Sequence, residues 1–143
     1  MNKQLTFTVN QMKNLKNLGL DTSDASMTFQ EGSLSENGTI TTEYHILPFK
    51  YSECINKIGD EDVLTPAYTL QDVLSIILPI NVTDKSDPYT KYTSFLKKDA
   101  IGIIKDWWNG TRQNNKSLIE CPFSLDGCYD VLVWCLQNNF INK

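Results

Sequence analysis

Three stretches of the chain repeat apolar residues every three or four positions, each behind a residue that favours the start of a helix. Thr8 opens a capping-box sequence, and the apolar residues after it end at Gly19. Thr69 precedes a second stripe that Pro79 ends, and Ser124 precedes a third. The pattern therefore predicts three helices, whose apolar stripes are Val9, Met12, Leu15 and Leu18; Leu70, Val73, Leu74, Ile77 and Leu78; and Cys128, Val131, Leu132, Cys135 and Leu136.

The apolar period changes to two on either side of Asn37-Gly38. Before this dipeptide the alternating residues are Ala25, Met27 and Phe29; after it they are Ile40, Thr42, Tyr44 and Ile46. Asn-Gly supplies the positive φ angles that a two-residue turn between antiparallel strands requires. We therefore expect a β-hairpin centred on Asn37-Gly38.

Two further segments have no regular period. The segment 48–66 mixes apolar residues with the acidic run 60–62, and we expect a short helical or irregular connection there. The segment 83–88 is rich in Asp, Lys, Ser and Pro, which favour local turns, so it is predicted to be a loop.

The segment 89–112 fits two structures. Its apolar residues make a helical stripe, yet its content of Tyr, Thr, Ile and Trp suits two strands joined by a turn at 97–99. Periodicity does not decide between a helix and a strand pair. In a strand pair, alternation would turn only one of Trp107 and Trp108 inward and leave the other exposed beside Arg112.

The composition is that of one ordinary soluble domain. Of 143 residues, 41% are apolar, which excludes a disordered chain, and the net charge of −4 excludes a uniformly basic nucleic-acid binder. No apolar run approaches the roughly 20 residues of a membrane helix, and the first residues do not form a secretory signal. We therefore expect a single α+β domain over residues 1–143, with a small antiparallel sheet flanked by about three helices, in the cytoplasm.

Few side chains could carry catalysis or bind a metal. The only histidine is His45, which alternation places with Thr41 and Glu43 on the polar side of the second hairpin strand. An enzyme would need His45 beside a thiol or a carboxylate in a cleft. The sequence has no Cys-x-x-Cys pair and no Gly-rich phosphate loop, so we expect no metal and no cofactor. All four cysteines are expected to be free thiols, with the last two buried on one helix face: Cys54, Cys121, Cys128 and Cys135.

The charges are distributed unevenly. Residues 21–64 have nine acidic and two basic side chains, a net charge of −7, whereas residues 88–116 have six basic and two acidic ones, a net charge of +4. The basic segment is also rich in aromatic residues, a combination that can bind single-stranded nucleic acid. The same residues also fit an ordinary fold, in which the rings fill a core and the lysines solvate its outer side.

Three stretches together resemble a group of small uncharacterised proteins of gut anaerobes and of their phages and mobile elements. They are QMKNLKNLGLDTSDASM (11–27), PAYTLQDVL (66–74) and YDVLVWCLQN (129–138). The resemblance covers about a third of the chain and excludes the region between Pro79 and Cys121. It implies helices flanking a small antiparallel sheet, which favours the strand alternative for 89–112, and it implies no established activity, cofactor or catalytic residue.

Two hypotheses of function follow. The first is a non-catalytic accessory or interaction protein of a phage or mobile element, which binds a protein partner or itself through Trp107, Trp108 and Arg112. The alternative is a nucleic-acid-binding protein that uses the segment 89–116, through Tyr92, Lys97, Lys98, Lys105 and Arg112.

Overall fold

A computed structural model of the chain describes residues 5–141, and their contacts divide into two compact units, one up to Asp72 and one from Val73 onward. The described residues form four α-helices and two antiparallel sheets, which confirms the α+β class. The prediction of a single domain over 1–143 stays a prediction.

The first unit is built on a three-stranded sheet. It contains helix α1 (Val9–Asn17), strands β1 (Met27–Glu36) and β2 (Thr39–Leu47), helix α2 (Tyr51–Ile58), a 3-10 turn (Glu61–Val63) and strand β3 (Leu64–Ala67). The strand order is β2-β1-β3. Asn37 and Gly38 have φ angles of 53° and 80°, so the predicted hairpin turn is confirmed.

The structure confirms the helical alternative for the connection 48–66 and adds a strand that was not predicted. The connection holds α2 as well as β3, and β3 pairs with the start of β1, from Met27 to Gln30. Only an edge strand tolerates the missing N–H of a proline, and β3 contains Pro66 at the edge of its sheet. The β3 pairing explains why the start of β1 is well buried, with Thr28 and Phe29 both in the core.

The three predicted helices are confirmed together with their caps. At α1, Thr8 N donates to Gln11 Oε1 at 2.9 Å and Gln11 N donates to Thr8 Oγ1 at 3.1 Å. Helix α3 (Leu70–Ile77) has the same reciprocal arrangement between Thr69 and Asp72, at 3.0 and 3.2 Å. In helix α4 (Leu125–Gln137), Ser124 Oγ accepts a hydrogen bond from a first-turn N–H at 3.0 Å.

The second unit contains a four-stranded sheet, in the order β4-β5-β6-β7, and α4. Its strands are β4 (Asn81–Thr83), β5 (Thr90–Leu96), β6 (Ala100–Trp108) and β7 (Gln113–Pro122). The strand alternative for 89–112 is therefore right and the helical one is wrong. The turn between β5 and β6 is at 97–99 as predicted, where Lys97 N donates to Ala100 O at 2.8 Å. Strands β4 and β7 were not predicted.

The core of the second unit lies between α4 and one face of this sheet. Helix α4 contacts β6 and β7, and Ile101 and Ile103 of β6 are fully buried. The buried residues of α4 are those of the predicted stripe, including Cys128 and Cys135. The pairing of β6 with β7 shifts by one residue between Ile103 and Ile104, so β7 has a bulge there.

Candidate functional site

The four-stranded sheet has an inner face, which packs against α4, and an outer face on the opposite side. Residues paired across an antiparallel sheet lie on the same face, and neighbours along a strand alternate. Ile101, Ile103, Lys105 and Trp107 thus share the inner face, whereas Trp108 lies on the outer face. This confirms that alternation separates the two adjacent tryptophans.

Three of the predicted binding residues, Tyr92, Lys105 and Trp107, belong to the inner face. Tyr92 pairs with Lys105, whose Nζ lies 5.6 Å from the centre of the Trp107 ring. The Tyr92 ring meets Phe140 edge-on at 5.0 Å, and Phe140 stacks on Trp134 of α4 at 5.3 Å. These rings therefore extend the packing between the sheet and α4. This agrees with the interpretation that aromatic residues of the basic segment fill a core.

The basic residues lie at opposite ends of β6. Lys97 and Lys98 are in the turn before it, where Lys97 Nζ lies 5.2 Å from the Phe95 ring centre and 3.9 Å from Glu120 Oε1. Arg112 is in the loop after it. The nine residues of β6 make eight steps of about 3.3 Å, so its two ends are about 26 Å apart. The structure thus does not bring the seven predicted site residues into one patch.

An exposed aromatic pair occupies the outer face where β5 begins and β6 ends. Trp108 is 50% exposed and Tyr89 is 66% exposed. Trp108 N donates to Tyr89 O at 3.3 Å, which continues the β5–β6 register and places both rings on the outer face. They border a recess of about 310 Å³ whose other lining residues are Pro88, Lys91, Asp106, Trp107 and Gln113. We call this surface the Trp108 recess.

Short-range hydrogen bonds order the loop that carries Tyr89. Asp87 accepts from Tyr89 N at 3.0 Å and from Thr90 Oγ1 at 2.7 Å. Asp84 accepts from Ser86 N at 2.9 Å and from the Tyr92 hydroxyl at 3.0 Å. These hydrogen bonds lower the pKa of Asp84 and raise that of Tyr92, so the loop holds an ionised carboxylate against a neutral phenol.

The loop after Trp108 is ordered in the same way. Asn109 Oδ1 accepts from Thr111 N at 3.2 Å, from Thr111 Oγ1 at 3.1 Å and from Arg112 N at 3.0 Å. Gly110 has a φ of 91°, which permits the tight reversal. Asx turns therefore order the loops on both sides of the recess, so the backbone that carries its two exposed rings is held in place before any partner binds.

Sequence reasoning missed Tyr89 as a site residue. The sequence does indicate ordered turns at both loops. Asp87 stands two residues before Tyr89 and Asn109 two residues before Thr111, which is the spacing of an Asx turn. What the sequence could not provide was the register that sets Tyr89 beside Trp108. Arg112, by contrast, was predicted beside an exposed tryptophan, and it does not line the recess.

The histidine considered for catalysis lies on an exposed surface, and two of the thiols are buried in α4. The His45 side chain is 68% exposed, and its neighbour is the exposed Glu43, at 3.7 Å from Nε2 to Oε2. The cysteines are free thiols. Burial raises the pKa of Cys128 to about 11 and that of Cys135 to about 12, so both are protonated at neutral pH.

Across residues 5–141, no group of three or more His, Cys, Asp or Glu side chains could hold a metal ion. In the same range, no helix is long and apolar enough to cross a membrane. Comparison with protein-family models, with curated proteins and with solved structures finds no match.

Proposed function

We propose that this chain is a non-catalytic interaction protein that binds a protein partner through the Trp108 recess. The observation that carries the proposal is the pairing of two exposed aromatic side chains, Trp108 and Tyr89, over one recess on an ordered sheet end. Tryptophan and tyrosine are the side chains that most often dominate the binding energy of protein interfaces. The resemblance to proteins of phages and mobile elements supports such an element as the setting.

The surroundings of the recess suit a peptide segment. A Lys91 ammonium, an Asp106 carboxylate and a Gln113 amide line it beside the rings, so both donors and acceptors are available to a peptide backbone. Protein interfaces combine an aromatic centre with a polar rim of this kind. A volume of about 310 Å³ is at the small end of ligand pockets, which suits one or two inserted side chains.

The nucleic-acid alternative has less support from the same geometry. Phosphate binding along a strand requires cations that follow one groove. Lys97 and Lys98 lie at the end of β6 opposite to Arg112, and Lys105 is on the inner face. At the recess, the charge of Lys91 is offset by that of Asp106.

The test is selection of peptides from a random display library on the purified protein, followed by measurement of their affinity for variants. Trp108→Ala should weaken the selected peptides by about thirtyfold, the loss typical of a central aromatic side chain. Phe49→Ala is the matched control, because Phe49 is also exposed, at 54%, but lies in the first unit. Phe49→Ala should bind the selected peptides as tightly as the wild type does.

Two results would overturn the proposal. One is that selected peptides bind Trp108→Ala as well as the wild type. The other is that labelled single-stranded DNA binds more tightly than any peptide, with an affinity that falls steeply with salt, which would favour the nucleic-acid function instead.

A further inference from the structure

The end of the β1–β2 hairpin beyond Gln30 lacks the support that the rest of the first unit has. Strand β3 pairs with β1 only from Met27 to Gln30, so among the described residues the hairpin from Glu31 to Tyr44 is two strands wide. Every residue of β2 except Leu47 is exposed, and Ile40 is 76% exposed. An isolated two-stranded hairpin is marginally stable in water. Pairing with a further strand would therefore bury exposed surface and stabilise this part of the chain.

Strand β2 lacks most of the features that keep an edge strand from pairing. It is an edge of its sheet, and its sequence Thr-Ile-Thr-Thr-Glu-Tyr-His-Ile-Leu contains no Pro, Gly or Lys and no bulge. Natural edges usually carry charged side chains, above all lysine, or a proline or a bulge to block association, and of these β2 has only the Glu43 carboxylate. The β-branched and aromatic residues of β2 instead favour addition of another strand.

The hairpin turn determines which backbone groups face the free edge. In a two-residue hairpin, the pair that flanks the turn, here Glu36 and Thr39, exchanges both hydrogen bonds. Alternate residues of β2 therefore direct their N–H and C=O groups away from β1. These residues are Ile40, Thr42, Tyr44 and Ile46.

We propose that the free edge of β2 pairs with β2 of a second copy of this chain, antiparallel and centred on Tyr44. In this register Glu43 lies opposite His45 of the second copy, and Thr42 lies opposite Ile46. The two-fold symmetry repeats each pair, and the outward groups of Thr42, Tyr44 and Ile46 form about six hydrogen bonds between the chains.

Charge complementarity favours this register. Centring the pairing one residue earlier would set Glu43 against Glu43 of the second copy, and like charges directly opposite are destabilising. Centring on Tyr44 gives each Glu43 carboxylate an imidazole as its cross-strand neighbour, and an imidazole has an N–H to donate in either protonation state. A second copy carries this match automatically, because its β2 has the same Glu43 and His45.

The first test is the oligomeric state, measured by sedimentation velocity from about 1 µM to about 1 mM, because edge pairing alone gives weak dimers. The wild type should dimerise within this range. Thr42→Pro removes an outward N–H of β2 and should leave a monomer. Ser33→Pro is the matched control, since Ser33 lies opposite Thr42 and its N–H faces the other edge of the hairpin. It should dimerise like the wild type.

The second test addresses the register. Glu43→Lys should raise the dissociation constant by about two- to thirtyfold, the effect of losing two cross-strand pairs. The double variant Glu43→Lys, His45→Glu exchanges the two charge types and should restore the wild-type value. An unchanged dissociation constant for Glu43→Lys would overturn the Tyr44-centred register.

Other outcomes would reject pairing through β2 altogether. These are a wild type that stays monomeric to about 1 mM, and a loss of the dimer in Ser33→Pro as large as in Thr42→Pro, with both variants folded by circular dichroism. Trp108→Ala should dimerise normally, so this test does not depend on the proposed function of the Trp108 recess.

Discussion

Gly102 in the middle of β6 is predicted to be intolerant of even a single added methyl group. A Cβ built on Gly102 would lie 2.0 Å from the carbonyl oxygen of Ile119 on β7 and 2.8 Å from Cζ of Phe95 on β5. Phe95 pairs with Gly102 across the outer face, so its ring lies over the glycine. Gly102→Ala therefore forces apart a close contact between β6 and β7.

The two contacts differ in cost. The Phe95 ring can rotate away, but the Ile119 oxygen is part of the backbone and can retreat only if β7 moves. Overpacking of this kind costs about 1–3 kcal/mol, and a lost ladder hydrogen bond costs about 1 kcal/mol more. We expect Gly102→Ala to lower the free energy of unfolding by about 2–4 kcal/mol.

Urea denaturation monitored by tryptophan fluorescence measures the unfolding of the second unit, which contains Gly102. The three tryptophans of the chain all lie in this unit: Trp107, Trp108 and Trp134. Gly32→Ala is the matched control. Gly32 is also within a strand, but the atom nearest to its added Cβ is His45 Cδ2, at 4.0 Å. Gly32→Ala should raise the free energy of unfolding by about 0.5 kcal/mol, since a strand glycine is less favourable than alanine. Its urea denaturation is monitored by circular dichroism.

A stability of Gly102→Ala within about 0.5 kcal/mol of the wild type would refute this reasoning, because overpacking a buried position costs more than that. The Phe95→Ala, Gly102→Ala double variant separates the two contacts. If the backbone contact dominates, removing the ring should recover less than about 1 kcal/mol of the loss, relative to Phe95→Ala alone.

Two further predictions concern a helix cap and a buried phenol. Ser124→Ala removes the acceptor for the first turn of α4 and should lower the free energy of unfolding by about 1 kcal/mol, measured by urea denaturation, whereas Ser124→Asp should retain most of it. The pKa of Tyr68 is raised above its ordinary value of 10.0. Burial is the largest cause, and the second is the Asp24 carboxylate, which accepts a hydrogen bond from the Tyr68 hydroxyl at 3.1 Å. The protonated phenol is therefore favoured in the folded state, so its contribution to stability is complete below pH 10 and is lost as the pH rises further. Tyr68→Phe should make the decline of unfolding free energy above pH 10 shallower, and an unchanged decline would contradict this assignment.

The candidate site was predictable only in part. Aromatic and basic residues are concentrated in 89–116, and for the strand alternative alternation predicted that one tryptophan of the adjacent pair would be exposed. It could not say which one, because that depends on which face of β6 meets α4. The register of β5 with β6 then brought in Tyr89 and, with the turn at 97–99, put Lys97 far from Arg112.

The sequence by itself determined the elements whose causes are local. The capping residues Thr8, Thr69 and Ser124 act on N–H groups within three positions, and Asn37-Gly38 imposes its turn directly, so these elements could be predicted without knowing the fold. Only the tertiary structure decided the rest: the division into two sheets, the pairing of β3 with β1, the face each tryptophan takes and the free edge of β2. Strand pairing depends on partners distant in sequence, and a pattern of alternation fits any partner that offers a complementary face.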